Sequence, residues 1–247
     1  MTLSSARYRL VLATLFLALW IPLAIAPSDR ADWLLENLLV FVFAAVLVLS
    51  FKRLPLSGIS YTTIFLFLCL HTLGAHYTYS EVPYDDWFRA ATGGTLNDAM
   101  GWERNHFDRL VHFSYGLLLA YPIREVFLRV VDARGFWGYF LPLDVTMSTS
   151  MMFELFEWAV AERVGGELGM AYLGSQGDVW DAHKDMALAS LGALLAMSLA
   201  MAVNMALQRD FAREFRDSLR ASTPNPWARP RSPACAAARI EIKDFWF

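Results

Sequence analysis

The chain has 247 residues, of which 56% are hydrophobic and 18% charged, with a formal net charge of −3. Soluble domains average about 45–50% apolar and about 25% charged, so an ordinary soluble globule is excluded, and so is a strongly basic nucleic-acid binder. The apolar residues also fall into long blocks, which makes this a polytopic membrane protein.

Six blocks approach the roughly 20 residues that cross a hydrocarbon core. They run from Arg9 to Ala26, Leu34 to Phe51, Ile59 to Tyr79, Phe107 to Val131, Phe136 to Ala161 and Asp185 to Leu207. The expected fold is all-α, a six-helix transmembrane domain over 1–208 followed by a largely disordered basic tail over 209–247. The first block exceeds the 7–15 residues of a signal-peptide core, and Pro27-Ser28-Asp29 is a poor cleavage site, so it reads as a retained helix. Cys69 and Cys235 lie in a helix and in the tail, which implies no disulfide framework.

Basic residues alternate along the chain. Arg7 and Arg9, Lys52 and Arg53, Arg124, Arg129 and Arg134, and the tail arginines mark one side; the intervening loops are acidic or balanced. The positive-inside rule therefore places both termini in the cytoplasm of a multi-pass protein of the bacterial inner membrane. The Pro-, Ser- and Arg-rich stretch from Thr223 to Ala238 reads as disordered. Its charge suits anionic lipid headgroups, and it is too short for a nucleic-acid interface.

On that topology all five histidines fall on the outer side. Ionisable groups in or at a bilayer are costly, so such a cluster is a functional-site hypothesis by default. The third block ends with His71 and His76, roughly 140° apart on a helix, too far apart in angle to share an ion. For His71, a core histidine bonded to a neighbouring helix is the competing reading. Tyr77 and Tyr79 read as interfacial belt residues. The fourth block opens with His106, Asp108, Arg109 and His112; Asp108 and His112 are one turn apart on one face. That pair can chelate an ion, or the carboxylate can orient the ring, or Asp108 can favour the helix dipole.

The fifth block carries Glu154 and Glu157 on neighbouring stripe positions, where mutual repulsion calls for a cation, an arginine such as Arg109 or a shared proton. Asp144 lies deeper toward the other end. Asp178, Asp181 and Asp185 form a single helical stripe that continues into Gly192, Ala196 and Ala200, with His183 beside it. Small residues at that spacing let helix backbones approach, so the stripe is expected to face the bundle interior. Mixed oxygen and imidazole donors suit Zn, Mn or Fe, and the lack of a ligating cysteine argues against a structural zinc site.

These motifs resemble the YjdF-like family of bacterial inner-membrane proteins, a domain of unknown function. The resemblance covers most of Leu34 to Leu207 and is carried by His106–Phe113 (HFDRLVHF), Pro122–Glu125, Phe153–Trp158 (FELFEW) and Gly174–Met186 (GSQGDVWDAHKDM). More remotely, Asp108-Arg109 with His112-Phe113, then an acidic helix, then Asp185 with Gly192, is similar to VanZ-like membrane proteins. Glu157 stands where that family has Gln. The second resemblance implies cell-envelope substrates. Together these readings lead to an outward-facing site with a divalent metal (Zn, Mn or Fe), acting by hydrolysis or transfer on a lipid or envelope-precursor substrate. The expected metal ligands are His112, Glu157, Asp181 and Asp185, with Glu154 as base and Asp108 orienting His112. Competing readings are a proton- or cation-coupled transporter, which lacks the repeat usual in carriers, and a non-catalytic accessory membrane protein.

Overall fold

A computed structural model describes residues 3–166, 169, 173, 175–208 and 210–219. The described residues are helical and contain no strand. Six long helices form the body: α1 (Leu3–Leu23), α2 (Arg30–Ser50), α3 (Gly58–His76), α6 (Phe107–Val130), α7 (Trp137–Val164) and α8 (Asp181–Leu207). Two short helices, α4 (Tyr84–Thr92) and α5 (Leu96–Met100), lie between α3 and α6, and α9 (Phe211–Ser218) follows α8. Thr223 to Ala238 lies outside the described residues, whereas residues 211–218 of the expected tail are helical.

Among the described residues four helices, α1, α2, α3 and α8, are long and apolar enough to cross a membrane. At 24 and 28 residues, α6 and α7 are as long. They differ in carrying more charge: Asp108, Arg109, Arg124, Glu125 and Arg129 on α6, and Asp144, Glu154, Glu157, Glu162 and Arg163 on α7. Exposed Leu, Val, Phe and Met residues cover the outer faces of the body, the pattern of helices solvated by lipid rather than by water.

Helix starts follow local chemistry. Asp29 accepts from the backbone N–H groups of Ala31 and Asp32 at 2.7 and 2.8 Å, satisfying two orphan donors of α2. Ser57 caps α3 through the Ser60 N–H. Glu125, buried on α6, reinforces that cap from another helix: it accepts from the Ser57 N–H at 2.8 Å and from the Ser60 hydroxyl, and pairs with Arg129 at 2.6 Å.

Helix α6 is central, with α3, α7 and α8 all packed on it, while α1 and α2 lean on α3. The α6–α8 contact is the closest. A Cβ on Gly116 would lie 1.9 Å from the Ala189 carbonyl oxygen, and one on Gly192 would lie 2.2 Å from that of Phe113. The two glycines therefore let the backbones touch, the close approach expected of the Gly192–Ala196–Ala200 stripe. The main apolar core joins Val40, Ile64, Phe67, Leu68, Phe107, Val111 and Leu119.

Candidate functional site

The Gly116–Gly192 crossing decides what lies above it. Counting back toward the helix starts, His112 sits one turn from Gly116, and Asp185 two turns from Gly192. Backbone contact at the crossing brings these side chains together. One donor atom each from Asp108, His112 and Asp185 lie within 4.8 Å of one another. The His112 Nε2 is 3.5 Å from Asp108 Oδ1 and 3.6 Å from Glu154 Oε1, the latter reaching in from α7.

Those separations are long for hydrogen bonds. They match the edge of a tetrahedron of ligands about 2.0–2.2 Å from a common ion, which is roughly 3.4 Å. Glu154 Oε1 and Asp185 Oδ1 are both buried without a hydrogen-bond partner, and Asp185 is 2% exposed. Buried carboxylate oxygens are expensive to leave unsatisfied. Three donors from two helices, Asp108, His112 and Asp185, thus converge, with Glu154 of α7 beside His112, and the donor types suit a Zn-, Mn- or Fe-type ion.

Other expected site residues are engaged elsewhere. Asp181 Oδ1 accepts from Arg104 at 2.8 Å and from Arg109 at 3.2 Å. Asp178 Oδ2 is bound by Arg109 and by Lys184, each at 2.5 Å. With Arg104 donating to the Ser175 carbonyl and Gln176 exchanging hydrogen bonds with the Asn105 backbone, these pairs strap the loop before α8 to the start of α6. The Lys184 ammonium, then the Trp180 N–H, then Arg109 hold the Asp178 carboxyl well below the usual carboxylate range. Arg109 therefore neutralises the loop aspartates.

The remaining histidines stand apart from the cluster. His71 is buried: its Nε2 meets the Glu36 backbone oxygen on α2 at 3.0 Å, and its Nδ1 meets the Tyr79 hydroxyl at 2.5 Å. His76 Nδ1 bonds the Leu23 carbonyl at the end of α1. His106 stacks on Trp102 with ring centres 4.4 Å apart; burial, then Arg109 and Arg104, push its pKa down. His183 is exposed beside Trp180. Asp144 is exposed on α7.

Tyr79 overturns its belt assignment. It adopts φ +54° and folds back over Gly74, where a Cβ would come 2.5 Å from the tyrosine ring. Its hydroxyl reaches His71 inside the bundle rather than the membrane interface.

Beside the cluster lies a cavity of about 380 Å³ between α2, α6 and α7, near the lower end of small-molecule sites. Asp108, His112, Glu157, Glu36, His71 and Tyr79 form its polar end, and leucines and phenylalanines its body. Leu38, Val42 and Phe156, from α2 and α7, line the cavity and are each about half exposed.

The sequence pattern of DUF2238, described as a predicted membrane protein, matches residues 8–206. The chain belongs to the DUF2238 family. It is 36% identical over 171 residues to the inner membrane protein YjdF of Escherichia coli K12, covering 69% of this chain and 78% of that protein. No solved structure matches. The chain is accordingly an integral, helical, multi-pass membrane protein of an uncharacterised family, and its YjdF relative is an inner-membrane protein.

Sequence reasoning missed Glu36, 4% exposed on α2, and Arg104 before α6. A signal for Glu36 was present. Asp32 and Glu36 are one turn apart in an otherwise apolar helix, a pattern costly enough in a membrane to mark an inward face.

Proposed function

We propose that this protein is a six-span inner-membrane enzyme, both termini cytoplasmic, that uses a divalent ion to hydrolyse or transfer a group on a lipid or envelope-precursor substrate. The observation carrying the reading is the convergence of Asp108, His112 and Asp185, with unpartnered oxygens on Asp185 and Glu154, beside a largely apolar cavity that Asp108 and His112 line. The six long helices and the alternation of basic loops support the span count and the orientation.

In this reading Asp108, His112 and Asp185 are the ligands. Asp108 thus takes part directly rather than orienting His112. Asp181 is occupied by arginines and positions α8, and Glu157 faces the cavity with Glu36. A bound divalent ion would supply Lewis acidity to a substrate oxygen. Glu154, beside His112, is placed to accept a proton, and the apolar body of the cavity suits a hydrocarbon chain whose head sits at the carboxylates.

Elemental analysis of gently purified protein tests this. Near-stoichiometric Zn, Mn or Fe is expected, lost on chelation and lost in His112→Ala and Asp185→Asn, while both variants still insert. Wild-type protein without metal and without affinity for divalent ions at neutral pH would overturn it. The second reading, a proton-coupled carrier, is favoured by one observation: the Tyr79–His71 hydrogen bond runs along the same cavity, beside the buried Glu36. Metal-free protein whose reconstituted vesicles move protons would select that reading.

A further inference from the structure

A second cavity, about 300 Å³, lies at the opposite end of the helices, bounded by the ends of α6 and α8, the start of α7, and α9. Its polar lining is Arg124, Arg134, Tyr139, Asn204, Gln208 and Glu214. The Arg124 guanidinium lies 4.6 Å from the centre of the Tyr139 ring. Its Nε is buried without an acceptor, and among the described residues no carboxylate lies within ion-pair distance of it. Two of the carboxylates nearby are committed elsewhere, and the third, Glu214, lines the cavity itself. Glu125 serves Ser57, Ser60 and Arg129; Asp132 pairs with Arg134; and Glu214 accepts from the Gly135 N–H at 3.3 Å.

Tyr139 adds a donor. Its oxygen already accepts from the Asn204 amide at 2.6 Å, which leaves the hydroxyl proton free for a ligand. The Gln208 amide stands at the rim. A guanidinium with a fixed fork of donors, a free O–H and a side-chain amide around one cavity call for a ligand with several anionic oxygens. Position narrows the choice. Phe211 and Phe215 of α9 pack against Phe136 and Tyr139, and the exposed Trp137 and Phe140 flank the site. This is aromatic surface at the end of a membrane-spanning body. Basic pockets between helices on the cytoplasmic side are typical seats of anionic headgroups.

We propose that Arg124, Tyr139 and Gln208 form a phosphate-binding site, distinct from the acidic cluster, that takes the phosphate of an anionic phospholipid headgroup or free phosphate. The test uses delipidated full-length protein in neutral detergent. Phosphatidylglycerol, monooleoylglycerol as an uncharged lipid, and inorganic phosphate against chloride at equal ionic strength are titrated separately. Thermal midpoint and native mass spectrometry are read. Phosphatidylglycerol is expected to raise the midpoint and to remain bound, and monooleoylglycerol to do neither. Inorganic phosphate reproducing the whole shift would assign the site to the soluble ion and would still support it. Arg124→Gln should weaken binding roughly tenfold or more, from the loss of charge-assisted hydrogen bonds. Arg7→Gln, an exposed arginine elsewhere, should leave it unchanged. Gln208→Glu keeps the Arg124–Tyr139 contact and puts a negative charge at the rim, so it tests the site even if Arg124→Gln fails to fold. Equal lipid retention by wild type and Gln208→Glu, or an equal loss in Arg7→Gln, would overturn the proposal.

Discussion

Asp181 and Glu154 show how neighbours divide labour among carboxylates of one chemistry. Asp181 meets two guanidiniums, whereas the inward oxygen of Glu154 meets only the His112 ring, at 3.6 Å. Charge-assisted pairs satisfy the first and leave the second with bonding capacity. Asp178 belongs with Asp181, and its depressed pKa has a consequence. A carboxylate whose folded pKa lies below its unfolded value, about 3.9, contributes stability above that value and loses it as pH falls toward the folded pKa. Asp178→Asn should therefore lower the thermal midpoint at pH 7, with the difference from wild type shrinking below about pH 4. A difference that held constant down to pH 3 would show that the contacts with Lys184, Trp180 and Arg109 are not electrostatic in effect.

Between α6 and α8 the geometry rests on two glycines. Because each Cβ would meet a backbone carbonyl rather than a movable side chain, neither position can absorb a larger residue without separating the helices. Gly192→Leu should destabilise the protein by about 1–3 kcal/mol through overpacking; on the proposed metal reading it should also weaken metal retention, because Asp185 would withdraw from Asp108 and His112. Leu191→Ala, at a half-exposed neighbouring position, controls for loss of apolar surface and should leave metal content unchanged. Metal retained in folded Gly192→Leu would separate the cluster from the crossing. The Glu125 cap works on the same scale: a carboxylate of α6 fixes the start of α3, so two helices adjacent in space share one terminus.

For the whole molecule, the orientation of the bundle decides whether the acidic cluster faces the periplasm and the arginine cavity the cytoplasm. Single cysteines at Ala91 and Val179, both exposed on segments at the cluster end, in a background lacking Cys69 and Cys235, should react with an impermeant thiol reagent in intact spheroplasts. Labelling only after permeabilisation would invert the topology and with it the envelope-substrate reading, while leaving the internal geometry as described.

Long apolar blocks were enough to establish the helices, because in lipid a backbone must satisfy its own hydrogen bonds and helix length follows from bilayer thickness. The Asp108–His112 pair and the Asp185–Gly192 stripe were likewise legible, since residues three or four apart must share a helix face. Periodicity fixes a face but not the partner that covers it. Only tertiary packing could assign Asp181 to Arg104 and Arg109, bring Asp185 and Glu154 to His112, and carry Glu36 of α2 to the same cavity. Each of those contacts joins segments whose approach depends on how closely two backbones can pack, and that is set by which small residues meet at the crossing.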